Sequence, residues 1–148
     1  MLGEIGTILV GLGLTTALYA TLAVYRSIRR QDERWWESGR NGVIAATVLL
    51  GAAVVLLLVA FLNNDFAIDY VAKHSSRALP LYLKVTAIWG GQDGSLLLWA
   101  FLQALFGALL LARPSAEGKP LLRWARVIMG LTTSFFVAMT LFLSNPFA

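Results

Sequence analysis

The chain has 148 residues, 58% of them hydrophobic, only 14% charged, and a mean hydropathy of +0.72. Soluble domains carry about 25% charged residues, so a water-soluble fold of this size has no way to hide so much apolar surface, and the bilayer is the solvent that resolves the problem. With no cysteine and one histidine, disulfides, thiolate metal sites and a haem held between two histidines of this chain are excluded, while the net charge of +4 reads as a topology signal rather than a nucleic-acid footprint, because the basic residues flank apolar runs.

The first apolar run covers residues 5–25. It holds no charge and is long enough to cross a hydrocarbon core of roughly 30 Å. Glu4 is the only early charge, so the run reads as a retained helix rather than a cleaved signal. A stretch with five arginines (Arg26, Arg29, Arg30, Arg34, Arg40) and the pair Trp35–Trp36 follows, and it reads as a loop over 26–41. Tryptophan suits the membrane interface and arginine the cytoplasmic side. A second span covers 42–62 and exits through Asn63-Asn64-Asp65. Small residues in these spans (Gly11, Gly13 and Thr15; Gly51, Ala52 and Ala53) fit ordinary close packing of helices in lipid.

Residues 63–94 form a mixed segment too interrupted to span, with Asp69, Lys73, His74, Arg77, Pro80 and Lys84. A third span covers 95–112. The stretch from Arg113 to Pro120 reads as a turn, Arg123 and Arg126 follow it, and a fourth span covers 127–143. The expected fold is therefore all-α: a polytopic membrane protein with about four transmembrane helices. Basic residues are densest in 26–41 and 113–126, so the positive-inside rule makes those loops cytoplasmic. The N-terminus, the 63–94 loop and the C-terminus then face outward.

The segment Trp89-Gly90-Gly91-Gln92-Asp93-Gly94-Ser95-Leu-Leu-Leu-Trp99 stands apart. Paired glycines permit positive φ or close approach, and Asp93 and Ser95 are good N-cap types for the helix that starts there. Trp89 and Trp99 flank the turn. Two readings stay open. These residue types are common at any membrane interface, and they equally suit a site for a flat, apolar, anionic molecule such as haem, a quinone or a lipid. A nucleotide loop is rejected, because no strand precedes the glycines. His74 reads as a structural loop histidine or a metal ligand, and Arg77 and Lys84 as solvated cations or carboxylate partners. No metal site and no catalytic residue is expected. An ion path is disfavoured, because the spans contain no charge.

Three stretches taken together are specific: Tyr70-Val-Ala-Lys-His-Ser-Ser-Arg-Ala-Leu-Pro80, Tyr82-Leu-Lys84, and Trp89 to Trp99. In order and spacing, with the closing Ser144-Asn-Pro-Phe147, they resemble the CcmF family of cytochrome c maturation proteins, including the related NrfE proteins. The resemblance implies the N-terminal part of a larger haem lyase subunit of the bacterial inner membrane. It implies a system that takes haem from the chaperone CcmE, works with CcmH- or CcmI-type proteins that present apocytochrome c, and attaches haem covalently. It implies partners in the downstream part of a CcmF-like protein and in the lipid bilayer, with no nucleic acid. The family's tryptophan-rich domain and haem-ligating histidines have no counterpart in these 148 residues, so the chain alone is not expected to be catalytic. On this reading Trp89, Gly90, Gly91, Gln92, Asp93, Gly94 and Trp99, with His74, Arg77 and Lys84, are the candidates for contact with haem or a partner. The alternative is a scaffold that docks other maturation proteins and holds no haem of its own.

Overall fold

A computed structural model describes residues 1–111 and 120–148. The turn expected from Arg113 to Pro120 lies, but for Pro120 itself, outside the described residues. Six helices occur among the described residues: α1 (Leu2–Arg30), α2 (Glu33–Asn63), α3 (Asp69–His74), α4 (Leu81–Ala87), α5 (Gln92–Leu111) and α6 (Pro120–Phe142). Of these, α1, α2, α5 and α6 are long and apolar enough to cross a membrane. The all-α polytopic fold is the one the composition requires.

Both α1 and α2 overrun their apolar spans. The expected loop over 26–41 is corrected to a two-residue connection, Gln31–Asp32, because α1 continues through Arg30 and α2 begins at Glu33. Arginine is nearly as good a helix former as leucine, so charge marks the end of the lipid-facing stretch and not the end of the helix. The turn itself is made by Gln31 in the left-handed region (φ 51°) and by Asp32, whose carboxylate accepts the Arg34 N–H at 2.9 Å as an N-cap. At the far end of α2, Asn64 takes the left-handed position (φ 53°), and the Asp65 N–H returns to the Ala60 carbonyl. The expected 113–126 loop is likewise shortened, since 120–126 is the first part of α6.

The long helices form a ring in the order α1, α2, α5, α6, each packed on the next. Val10, Leu50, Leu57, Phe61, Leu97 and Val137 fill its interior. The tightest backbone approaches are set by Gly39 and Gly42 of α2 against Ala20 and Val24 of α1, and by Gly130 of α6 against Thr21. Small residues in lipid work in this way. Gly13 meets Leu50 and Gly51 meets Phe101, whereas nothing lies within 4 Å of where a Gly11 side chain would start.

The ring has two unlike ends. One carries the Gln31–Asp32 turn and the arginines. The other, called the outer end below, carries α3, α4, the start of α5 and the last residues of the chain. Those last residues fold back onto α1. Asn145 Nδ2 donates to Thr7 Oγ1 at 3.0 Å, and the Phe147 ring lies where a Gly6 side chain would be.

Candidate functional site

The outer end is organised by Tyr70, which the sequence reading did not single out. Tyr70 comes from α3 and is buried. Its hydroxyl donates to the Ile88 carbonyl at 3.0 Å and accepts the Gly91 N–H at 3.1 Å. One side chain thus holds both ends of the Ile88–Gly91 stretch. His74, one helical turn on, places Nδ1 at 3.0 Å from the Tyr70 carbonyl. A carbonyl only accepts, so Nδ1 carries the proton. The imidazole lies against the phenol ring with centroids 4.4 Å apart, and Phe61 meets the same ring edge-on.

The glycines are required here by close approach and not by backbone sign, since no glycine among the described residues has positive φ. A methyl on Gly91 would lie 2.7 Å from His74 Nε2. One on Gly94 would overlap the Ile88 carbonyl oxygen. Gly90 is looser, its nearest neighbour being the Ala87 carbonyl oxygen at 3.4 Å. The capping expectation is corrected. Helix α5 starts at Gln92, and the Gly91 carbonyl accepts the Ser95 N–H at 3.2 Å, so Asp93 and Ser95 sit inside the first turn. There Asp93 complements the helix dipole, while the Ser95 hydroxyl donates back to the Trp89 carbonyl at 2.9 Å. Gln92 Nε2 donates to Ser144 Oγ at 3.3 Å, joining the segment to the folded-back chain end.

Trp89 and Trp99 remain largely exposed, at 48% and 61%. With Ser95, Leu98 and Leu102 they line one open cleft on the outside of α5. Residues Ser95, Leu98, Trp99 and Leu102 share a helical face by their three- and four-residue spacing. The structure therefore brings Trp89, Gly90, Gly91, Gln92, Asp93, Gly94, Trp99 and His74 together around one clamped turn. It does not bring Arg77 or Lys84 there. Arg77 is exposed on the α3–α4 connection. Lys84 is buried, and its ammonium donates to Asn64 Oδ1 at 2.6 Å, tying α4 to the end of α2.

The Tyr70 hydroxyl is pushed above the ordinary phenol value, first by burial and further by the Asp93 charge, against the N–H groups of Gly91 and Gly94, which pull it down. The raised value means the fold favours the neutral phenol. Its contribution to stability is present below the unfolded value near 10 and drains away as pH rises through the folded value. Of the chain's four tyrosines, Tyr70 is expected to supply a late limb in a tyrosinate absorbance titration. That limb should vanish in Tyr70→Phe, and an unchanged curve in the variant would contradict the assignment.

A second cluster, missed in the sequence, sits at the opposite end. Arg126 of α6 is buried, stacks its guanidinium 4.1 Å from the Trp36 ring centroid, and donates to the Leu110 carbonyl at 3.2 Å. Arg123 lies over the same ring at 5.2 Å and pairs with Glu33 at 2.9 Å. The only sequence signal was the arginine spacing of three, which puts both side chains on one helical face.

These residues fit a haem cargo in part. The cleft offers two exposed indole rings and leucine side chains, which suit one face of a flat macrocycle. His74 does not suit axial ligation, because Nδ1 is engaged by the Tyr70 carbonyl and Nε2 faces the Gly91 backbone.

No family model matches the chain. Among curated proteins it is 36% identical to the cytochrome c-type biogenesis protein CcmF of Escherichia coli, over 100% of this chain and 23% of that protein. It is 34% identical to CcmF of Pseudomonas aeruginosa, over 100% of this chain and 22% of that protein. The cytochrome c-type biogenesis protein NrfE of Haemophilus influenzae is 30% identical over 99% of this chain and 23% of its own length. A solved structure of the cytochrome c haem lyase CcmF superposes with a TM-score of 0.87 at 27% identity, covering 99% of this chain and 25% of that one. The chain thus spans about a quarter of the length of the relatives it matches.

Proposed function

Because the chain belongs to the CcmF/NrfE family of cytochrome c-type biogenesis proteins, we propose that it forms the N-terminal membrane part of such a protein and that its outer end helps wall the surface where haem is handed to apocytochrome c. The observation that carries this reading is the cleft between Trp89 and Trp99, two indoles left exposed beside a turn that Tyr70 holds rigid. Stacking on such rings positions a flat apolar molecule without ligating its iron. Covalent attachment itself would use the thiols of the apocytochrome, and the axial ligands would come from outside these residues. The partners on this reading are the haem chaperone CcmE and the CcmH- or CcmI-type proteins that present the substrate.

On this reading the arginine-rich end faces the cytoplasm and the outer end the periplasm, as the positive-inside rule suggests. The cleft would then open on the side where cytochromes c are assembled, with the chain in the bacterial inner membrane.

The test is haem staining of c-type cytochromes in cells that depend on this protein. Replacing both Trp89 and Trp99 by Ala should lower covalent haem at least about tenfold, the scale of losing two stacking contacts of roughly 1 kcal/mol each. Wild-type staining, with the variant present in the membrane at normal level, would remove the cleft from the pathway. A second reading, a scaffold that docks maturation proteins without touching haem, is favoured by the placement of His74, whose Nδ1 is held by the Tyr70 carbonyl and whose Nε2 is turned toward Gly91. It predicts that the same double variant stains normally but fails to copurify with its partners.

A further inference from the structure

The arginine-rich end carries more positive than negative charge. Among the described residues seven arginines stand there (Arg26, Arg29, Arg30, Arg34, Arg40, Arg123 and Arg126) against the carboxylates Asp32, Glu33 and Glu37. Asp32 is spent on capping α2, and Glu33 on Arg123. Arg26, Arg29, Arg30 and Arg34 are exposed. Three of the four lie in the last two turns of α1, so they face outward around its end over a vertical range of about 6 Å.

Aromatic rings sit just below them. Arg26 lies 5.0 Å from the Trp35 ring centroid. Tyr25 of α1 and Trp124 of α6 meet edge-on at 6.1 Å, and both are 40–45% exposed. Indole and phenol rings at this level mark the glycerol and headgroup zone of a bilayer. Cations directly above such a shelf stand at phosphate height.

We infer that this end is a binding surface for anionic phospholipid headgroups, with Arg26, Arg29 and Arg30 as its principal contacts. Guanidinium groups pair bidentately with phosphate oxygens. A zwitterionic lipid offers the same phosphate, but its own ammonium offsets the charge, so the surface selects phosphatidylglycerol over phosphatidylcholine. Each basic residue near a leaflet surface adds attraction for anionic lipid, and the unspent carboxylate Glu37 trims the total. The inference stands on charge and geometry alone and holds whether or not the chain handles haem.

The test uses the whole chain reconstituted in phosphatidylcholine bilayers, with Trp89 and Trp99 replaced by Phe so that Trp35, Trp36 and Trp124 report on this end. Quenching by brominated phosphatidylglycerol is compared with quenching by brominated phosphatidylcholine. The anionic lipid should be preferred by on the order of tenfold. The preference should collapse in the triple variant Arg26→Gln, Arg29→Gln, Arg30→Gln and persist when the same positions become Lys. Equal quenching by the two lipids, or an undiminished preference in the Gln variant, overturns the inference. Should the Gln variant lose helix content, the parent protein decides. Its preference must fall severalfold in about 0.5 M salt, where screening reaches only a few ångströms, and a preference that survives salt overturns the inference.

Discussion

Gly94→Ala is expected to destabilise the outer end by about 2–3 kcal/mol, the upper part of the range for overpacking. The added carbon would overlap the Ile88 carbonyl oxygen and lie 2.6 Å from the Tyr70 hydroxyl. A backbone carbonyl does not swing aside as a side-chain tip does. Relief means shifting the Ile88–Gly91 stretch or tilting α5, and either movement strains the hydrogen bonds that Tyr70 makes to both. Neighbouring glycines supply the calibration. Gly91→Ala presses on the His74 and Tyr70 side chains at 2.7 and 2.9 Å rather than on a backbone carbonyl, so it should cost less. Gly90→Ala meets its nearest atom at 3.4 Å and should be close to neutral. Unfolding in mixed micelles of a mild and a denaturing detergent should rank the three as Gly90, Gly91, Gly94 in rising cost. Equal losses at all three positions would show that the turn is not clamped as described. The same ranking should reappear in haem staining if the turn supports the indole cleft.

Arg126→Leu should cost about 3 kcal/mol at the opposite end. The ring contact with Trp36 and the hydrogen bond to Leu110 are lost together. A desolvated cation over an indole contributes roughly 2 kcal/mol, and a hydrogen bond from a charged donor roughly 1.5–3 kcal/mol, partly overlapping the first. The Leu110 carbonyl lies next to the last described residue of α5, at the carbonyl end of that helix, where the helix dipole welcomes a cation. Leucine fills similar volume but withdraws the charged donor from that carbonyl. Arg126→Lys keeps the charge and loses the flat stacking on Trp36, so it should recover about half of the loss. The same micelle titration reads both variants, with Trp36 fluorescence as an independent signal. If leucine proves as stable as arginine, the guanidinium is not what joins α2, α5 and α6 there.

The parts legible in the sequence were those written by solvent. Four uncharged runs had only one economical place to be, and the arginine distribution marked one end of the bundle. The spacing of the Tyr70–Pro80 and Trp89–Trp99 stretches was specific enough to show kinship. What stayed hidden was written by contact. Arginines after Tyr25 look like a loop to a hydropathy reading, yet their backbone continues as helix, because charge and helix propensity are independent properties. The glycines of the turn were found, and of the two reasons they offered, positive φ and close approach, only close approach operates. Gly91 and Gly94 meet His74 and Tyr70 of α3 across long stretches of sequence, and Gly94 meets the Ile88 carbonyl only because the turn doubles back; a linear pattern carries no trace of that. Tyr70 was hidden for the same reason. A tyrosine beside a membrane is ordinary, and only the fold reveals that its hydroxyl spans both ends of one turn. Arg77 and Lys84 were grouped with the site because they are cations in the same segment. Lys84 instead serves the end of α2.

The fold-back of the last residues onto the first has a consequence for how the protein is made. Thr7 meets Asn145 across 138 positions of sequence, and the Gly6 notch is filled by Phe147. A ribosome delivers α1 to the membrane long before those partners exist. Until synthesis reaches Phe147, the outer end of the first helix has an open notch and an unpaired threonine hydroxyl, which lipid, water or an assembly factor must tolerate. Such long-range closure is slow, because so much chain must be ordered before it is rewarded. The hairpin of α1 and α2, joined by two residues, can dock early. The ring closes only when α6 arrives and residues 144–147 reach back, so α1 is made before the other helices of the ring and completed after them.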